Sequence, residues 1–261
     1  MEQSVKGQVA IITGAGQGIG RAIAMRLSQD GMRVVLVDLQ GEAVARLAEE
    51  IQSAGGEALA LALNLTRDED RRSMIKATLD TYQRLDALVN NAGVQRIALP
   101  LDVDEDHWDF LMNVNAKAVY FCCQLALRYM MRQRGGRIVN MGSIAGKMAS
   151  TVYHPVYNAS KAAVLAMTKT LALYSAEFGV RVNAVCPGII ETPMQDAVDE
   201  QIARVTGQGA GEIHASRVER VPLGYIGKGA DVAAIVSFLV GPDSGYMTGQ
   251  ALNADGGILT Y

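Results

Sequence analysis

Tyr157 and Lys161 stand four residues apart in the run Tyr-Asn-Ala-Ser-Lys. On a helix that spacing puts a phenol and an ammonium on one face, aimed at the same volume. A neighbouring cation stabilises a phenolate, so the phenol's pKa is expected to fall from about 10 toward the working range of a proton-transfer group. Far upstream, Thr13-Gly-Ala-Gly-Gln-Gly-Ile-Gly20 follows an apolar run and opens a helical-period segment near Ile19. In that setting Gly14, Gly18 and Gly20, with Gln17 and Ile19 between them, let the chain turn sharply. Backbone N–H groups then reach a pyrophosphate, whose charge a helix N-terminus stabilises. Asp38 closes the second apolar run, Val-Leu-Val-Asp. A carboxylate there accepts hydrogen bonds from ribose hydroxyls and repels a 2′-phosphate, which predicts NAD rather than NADP. The turn itself has no Arg or Lys before Arg21. A dinucleotide site and a proton-transfer pair together predict an oxidoreductase.

The elements that must position these groups follow from short β-branched runs at Val9 to Ile12, Arg33 to Val37, Ala58 to Leu63, Ala87 to Val89, Arg137 to Met141 and Arg181 to Cys186. Helical-period segments separate them, and Ala251 to Ala254 adds a seventh run. The runs are continuously apolar rather than alternating, as expected when helices cover both faces of a parallel sheet. The expected fold is therefore α/β: a Rossmann-type, doubly wound, parallel seven-stranded sheet. One domain spans residues 1–261. The polar segment 191–220, carrying Gly207, Gly209 and Gly211, breaks the rhythm and is expected to be a small substrate lid.

Composition narrows the function further. With 261 residues, 49% of them hydrophobic, the chain can bury one large core. A formal charge of −3 with both signs interspersed offers no basic field, so no nucleic-acid partner is expected. The first apolar run is too short for a signal-peptide core or a membrane span, so the expectation is a cytoplasmic protein with no membrane partner. Cys122, Cys123 and Cys186 lack metal-ligand spacing and read as small buried hydrophobes in a reducing compartment, with no metal expected.

Further short motifs fall after the apolar runs: Asn90-Asn-Ala-Gly93, Gly142-Ser143, Asn115 in Val-Asn-Ala-Lys, Pro187-Gly188 and Asp255-Gly-Gly257. With Thr13 to Gly20 and Tyr157 with Lys161, in this order, the chain resembles the short-chain dehydrogenase/reductases over essentially its whole length. The resemblance implies that Tyr157 is the general acid or base, that Lys161 holds the nicotinamide ribose and tunes the phenol, and that Ser143 bonds the substrate oxygen. It gives Asn115 the task of positioning a water between Lys161 and solvent. Cofactor contacts are implied at Ile19, Asn91, Gly93, Pro187, Gly188, Ile190 and Thr192. Asn64-Leu65 stands where many members carry Asp-Val, and the Asn64 carbonyl is expected to accept the adenine amino group's bond. A homotetramer is implied, through the helices around 106–132 and 155–177, whose apolar residues Val119, Phe121, Leu165 and Leu173 exceed one inward stripe.

Substrate contacts are expected from Gln95 and Arg96, Ile144 to Met148 with Lys147, Tyr153 and His154, and Ile189 to Met194. The plain alternative is that Lys147 and Arg96 point into water and that His154 is satisfied by backbone. Two substrate classes compete. Glu191-Thr-Pro-Met194, Val221-Pro-Leu-Gly224 and Pro242 to Gly249 are similar to bacterial dehydrogenases of polyols, sugars and vicinal diols, in carbohydrate metabolism. Asn-Asn-Ala-Gly-Val-Gln95 and Cys186-Pro-Gly are similar to 3-hydroxybutyrate dehydrogenases, where Gln95, His154 and Lys147 would grip an anion such as a hydroxy acid or hydroxysulfonate. Ile144 stands where that subfamily has a polar residue, so the polyol or diol reading is favoured; a 3-oxoacyl reductase is a further alternative. A non-enzymatic nucleotide-binding protein would have lost Tyr157, Lys161 or Ser143, and all three are present.

Overall fold

The structure, a computed structural model, describes residues 5–149 and 151–260. Its strands are β1 (Val9–Thr13), β2 (Arg33–Asp38), β3 (Ala58–Ala62), β4 (Ala87–Asn90), β5 (Gly136–Met141), β6 (Val180–Pro187) and β7 (Ala251–Ala254). Among the described residues they form one parallel sheet in the order β3-β2-β1-β4-β5-β6-β7. Every residue of β1 and β4 is buried, as the continuously apolar runs require of strands covered on both faces. Strand order reverses between β1 and β4. The loops leaving these two strands diverge, and the crevice between them is where an open α/β sheet takes its ligand.

Helices α1 (Gly18–Gln29) and α2 (Gly41–Ser53) pack one face of the sheet, with α9 (Gly229–Val240) added late in the chain. Helix α3 (Asp68–Tyr82) lies on the opposite face beside α5 (Val119–Met130) and α6 (Pro155–Ser175). Helix α4 (Glu105–Met112) runs into α5 through a π-turn at Asn113–Ala118. By length and composition Glu105–Met130 could cross a membrane. Its apolar side is instead core, since Val119, Cys122, Cys123, Ala126, Leu127 and Met130 pack beneath the sheet. The three cysteines are free and buried.

After β6 the chain leaves the sheet for α7 (Pro193–Thr206) and α8 (Ala210–Glu219), which lie across the C-terminal ends of the strands. The apolar surplus expected on α5 and α6 is largely taken up by the core. Val119 and Leu165 are buried within the chain and Phe121 is half-buried, turned edge-on to Tyr120. The outward apolar face is made by Leu173 and Tyr174, 82% and 64% exposed, with Tyr120.

Candidate active site

A cleft of about 710 Å³ opens where the strand order reverses. The residues marked from the sequence for cofactor and catalysis line it, except Asn115. Of those marked for substrate, Gln95, Ser143, Tyr153, His154 and Tyr157 line it, whereas Arg96, Lys147 and Met148 do not. At its first end Gly14 takes φ +65°, and a Cβ there would stand 2.8 Å from Ala92 Cα. Only glycine fits this close approach. Helix α1 begins at Gly18 with no side-chain cap from Gln17, so its first N–H groups face the cleft. Asn91 braces the turn from below, donating to the carbonyls of Thr13 and Gly14 at 3.0 Å each. Its amide hydrogens are thereby committed to the turn rather than to a cofactor. Asp38 accepts from Gly16 N and Gln40 N, both at 3.0 Å, and each carboxylate oxygen keeps a lone pair for a ribose hydroxyl. A nicotinamide dinucleotide fits these groups: an uncapped helix end for phosphates, a close-approach glycine turn and a carboxylate at the ribose position.

At the other end, α6 starts at Pro155 and carries Tyr157 and Lys161 on one face. Lys161 Nζ lies 5.6 Å from the Tyr157 ring centre and donates to the Met141 carbonyl at 2.9 Å. Burial pushes the Tyr157 phenol up to about 12, and a hydrogen bond with Ser143 only partly offsets this. Burial also brings Lys161 down to about 8. The expected depression of the phenol by Lys161 is therefore absent from the protein's own groups. Desolvation outweighs an ammonium that is itself easily deprotonated. Ser143 is buried at the end of β5, and its hydroxyl accepts from Ala145 N at 3.1 Å.

Asn115 sits fully buried in the π-turn. It accepts from Val94 N at 2.8 Å and donates to Val94 O and Ser160 Oγ. Both its amide hydrogens hold neighbouring segments in place, so its side chain positions the Val94 segment and α6 beside Lys161.

The match to known proteins covers this whole arrangement. Residues 8–203 match the family model for short chain dehydrogenase. The chain belongs to that family. Among curated relatives, a 3-oxoacyl-(acyl-carrier-protein) reductase from Thermotoga maritima is 38% identical over 255 residues, covering 98% of this chain and 99% of the relative. A diacetyl reductase, (S)-acetoin forming, from Staphylococcus epidermidis is 34% identical over 254 residues, covering 97% and 98%. Among solved structures, an actinorhodin polyketide ketoreductase variant with NADPH superposes with a TM-score of 0.94 at 33% identity, covering both chains fully. This short-chain dehydrogenase is thus an oxidoreductase of alcohol and keto groups that uses a nicotinamide cofactor.

Three of its expected contacts are corrected by the geometry. Lys147 does not reach the cleft: its ammonium donates to the Ala251 carbonyl and Asn253 Oδ1, on β7. The Asn64 oxygen is occupied by Thr66, accepting from its N–H at 3.1 Å and its hydroxyl at 2.8 Å. With both lone pairs in use, it has none for adenine. Arg96 stacks over Phe110 at 4.4 Å and is absent from the cleft wall.

The Tyr157 end of the cleft also contains groups with no signal in the sequence. Arg217 of α8 forms a largely buried ion pair with Asp199 of α7 and lines the cleft. Burial raises Asp199 and lowers Arg217, each opposed by its partner. Gln201 of α7 accepts from Ile97 N at 3.1 Å, bridging the covering helices to the far rim. Met194, Val198, Ile202 and Ile213 give the cover an apolar underside. Beneath it, the Gln95 amide nitrogen lies 2.9 Å from His154 Nδ1, and the His154 and Tyr157 rings are 6.2 Å apart. Burial, then the charge of Arg217, bring His154 down to about 4, so the ring is neutral at pH 7.

A depressed folded-state pKa stabilises the fold above the unfolded value, and that contribution disappears as pH falls through the folded value. For His154 the window runs from 6.5 down to about 4. Going from pH 7 to pH 5 is expected to remove on the order of 2 kcal/mol of stability through this one group. His154→Gln, which keeps a polar partner for Gln95, should flatten the difference between urea midpoints at pH 7 and pH 5. An unchanged difference would show that His154 titrates normally.

Proposed function

We propose that this chain is an NAD-linked dehydrogenase of small neutral substrates with a second oxygen beside the reacting carbon: a vicinal diol, polyol or sugar, interconverted with its hydroxyketone. The observation that carries this reading is the uncharged contact between half-buried Gln95 and buried His154, alongside Ser143 and Tyr157. Such a pair hydrogen-bonds a hydroxyl or carbonyl but supplies no charge for an anion. The cations around it support the same choice. Lys147 is held on β7, Arg217 is matched by Asp199, and Arg220 on the cleft wall is also partnered. The name of the Staphylococcus epidermidis relative, a diacetyl reductase, fits this class.

In the mechanism these residues support, the bound nicotinamide supplies the hydride acceptor or donor and, when oxidised, a positive charge. Ser143 orients the substrate oxygen and stabilises its developing charge. Tyr157 takes the hydroxyl proton in oxidation and returns it in reduction. Lys161 holds the ribose and, protonated, favours the phenolate. Gln95 and His154 fix the second oxygen, which sets which face of the carbon is presented.

NAD preference rests on Asp38, a carboxylate at the end of β2 beside the glycine turn, whose charge would repel a 2′-phosphate. Asp38→Ala is expected to raise the KM for NAD more than tenfold, the loss of about 1.5 to 3 kcal/mol of charge-assisted bonding, and to relax rejection of NADP. Equal efficiency of the wild type with both cofactors would overturn this preference.

A second reading, a 3-oxoacyl reductase, draws on the apolar underside of α7 and α8 and on the name of the Thermotoga maritima relative. A panel of 2,3-butanediol, acetoin, polyols, 3-hydroxybutyrate and an acetoacetyl thioester, read by NADH absorbance, separates the two. Highest kcat/KM on a diol or acetoin supports the first reading; highest kcat/KM on the thioester replaces it with the second. We also propose a cytoplasmic homotetramer joined partly through Leu173 and Tyr174, and light scattering that gave a monomer would refute it.

A further inference from the structure

Lys147 follows the single helical turn Ile144–Gly146 that begins at Ser143. This turn is fixed on two sides. Gly146 presses on α6, where a Cβ would stand 2.7 Å from the Lys161 carbonyl carbon. The Lys147 ammonium crosses to β7, donating to Ala251 O at 2.8 Å and Asn253 Oδ1 at 2.6 Å. Charge-assisted bonds in a partly buried place are stronger than neutral ones and fix direction.

The connection continues past β7. Asn253 Nδ2 donates to the Leu259 carbonyl at 2.9 Å. Between them the chain reverses at Gly256 and Gly257, with φ of +65° and +93°, a conformation side chains rarely adopt. The Asp255 carboxylate holds the reversal, accepting from Gly257 N at 3.1 Å and Leu259 N at 2.9 Å. Leu259 is then buried, and Ile258, one residue before it, forms part of the cleft wall.

We propose that Ile258 limits the size of the substrate the cleft accepts, held in place by the hydrogen-bonded chain Lys147–Asn253–Leu259. Ile258 is branched and apolar, on a short turn whose course is set by side-chain ties rather than by a regular element. Lys147 therefore acts as a positioning residue, without touching substrate. The inference rests on the cleft being the site of the oxidoreductase reaction, but not on the diol reading of its substrate.

The test uses a homologous series, lengthened one methylene at a time, in whichever substrate class turns over best. Ile258→Ala should raise kcat/KM for the longer members relative to the shortest by about tenfold, the discrimination one or two methylenes can give, with the KM for NAD unchanged. Lys147→Met keeps the stem and removes the charge. It should shift the ratio the same way by about threefold and speed amide exchange in residues 256–260. Asn253→Ala cuts the same chain and serves if the Lys147 variant does not fold. An unchanged ratio in Ile258→Ala overturns the proposal. An unchanged ratio and unchanged exchange in both tie variants overturns the role of Lys147. Failure of diols as substrates would refute the proposed function while leaving this ratio measurable.

Discussion

Tyr157→Phe is expected to lower turnover by roughly 10²- to 10⁴-fold while leaving NADH affinity within about twofold. The substitution keeps the ring against His154 and removes only the ionisable oxygen that bonds Ser143. Burial holds the phenol at about 12 in the protein alone, so the base form is scarce near neutrality. The wild-type rate of alcohol oxidation should therefore rise with pH, whereas the reduction direction, which needs the protonated phenol, should not. Single-turnover rates in both directions, with NADH fluorescence for affinity, check both statements. A Phe variant that retained most of its activity would end this mechanism.

Gly20→Ala is expected to weaken NADH binding by on the order of 100-fold, the equivalent of about 2.7 kcal/mol. A Cβ on Gly20 would stand 2.0 Å from the Gly14 carbonyl oxygen and 2.5 Å from Asn91 Nδ2. No rotamer relieves a backbone clash, so the turn must open and its N–H groups lose their aim at the phosphates. Gly211→Ala, where a Cβ meets nothing within 4 Å, is the control and should bind NADH normally. Normal binding by both variants in a fluorescence titration would show that the Gly14 to Gly20 turn is not the phosphate site.

The strands were legible because a strand covered on both faces needs a continuous apolar run. Val9 to Ile12 and Ala87 to Val89 are too short and too uniformly apolar to make an amphipathic helix. The chemistry of Tyr157 and Lys161 was legible because a helix turns spacing into direction. Lys147 was not, since it leaves a single turn of helix whose heading depends on where β7 ends up in space. Asp199 and Arg217 meet only because α7 and α8 fold back on each other, and nothing in their spacing announces it. Asn64 carries a local signal that points away from a ligand. An Asn two residues before a Thr favours an Asx-turn, and that bond competes with adenine for the same oxygen. The phenol's pKa comes out too low when the Lys161 charge is counted without the desolvation that the buried site imposes.

The strand order also dictates how the chain is built over time. β1, β2 and β3 come from one stretch of chain and pair with each other, but the other edge of β1 waits for β4. The bond from Val9 N to Asp86 Oδ2, at 2.8 Å, spans 77 residues, and Arg84 holds the same carboxylate. During synthesis the first three strands therefore emerge with an apolar edge exposed, the condition under which a nascent chain sticks to others or is captured by a chaperone. Closure of that edge joins residues far apart in the sequence and should therefore be slow. In pulsed hydrogen exchange during refolding, the β1–β4 ladder should gain protection after the β1–β2 ladder, and the reverse order would contradict it.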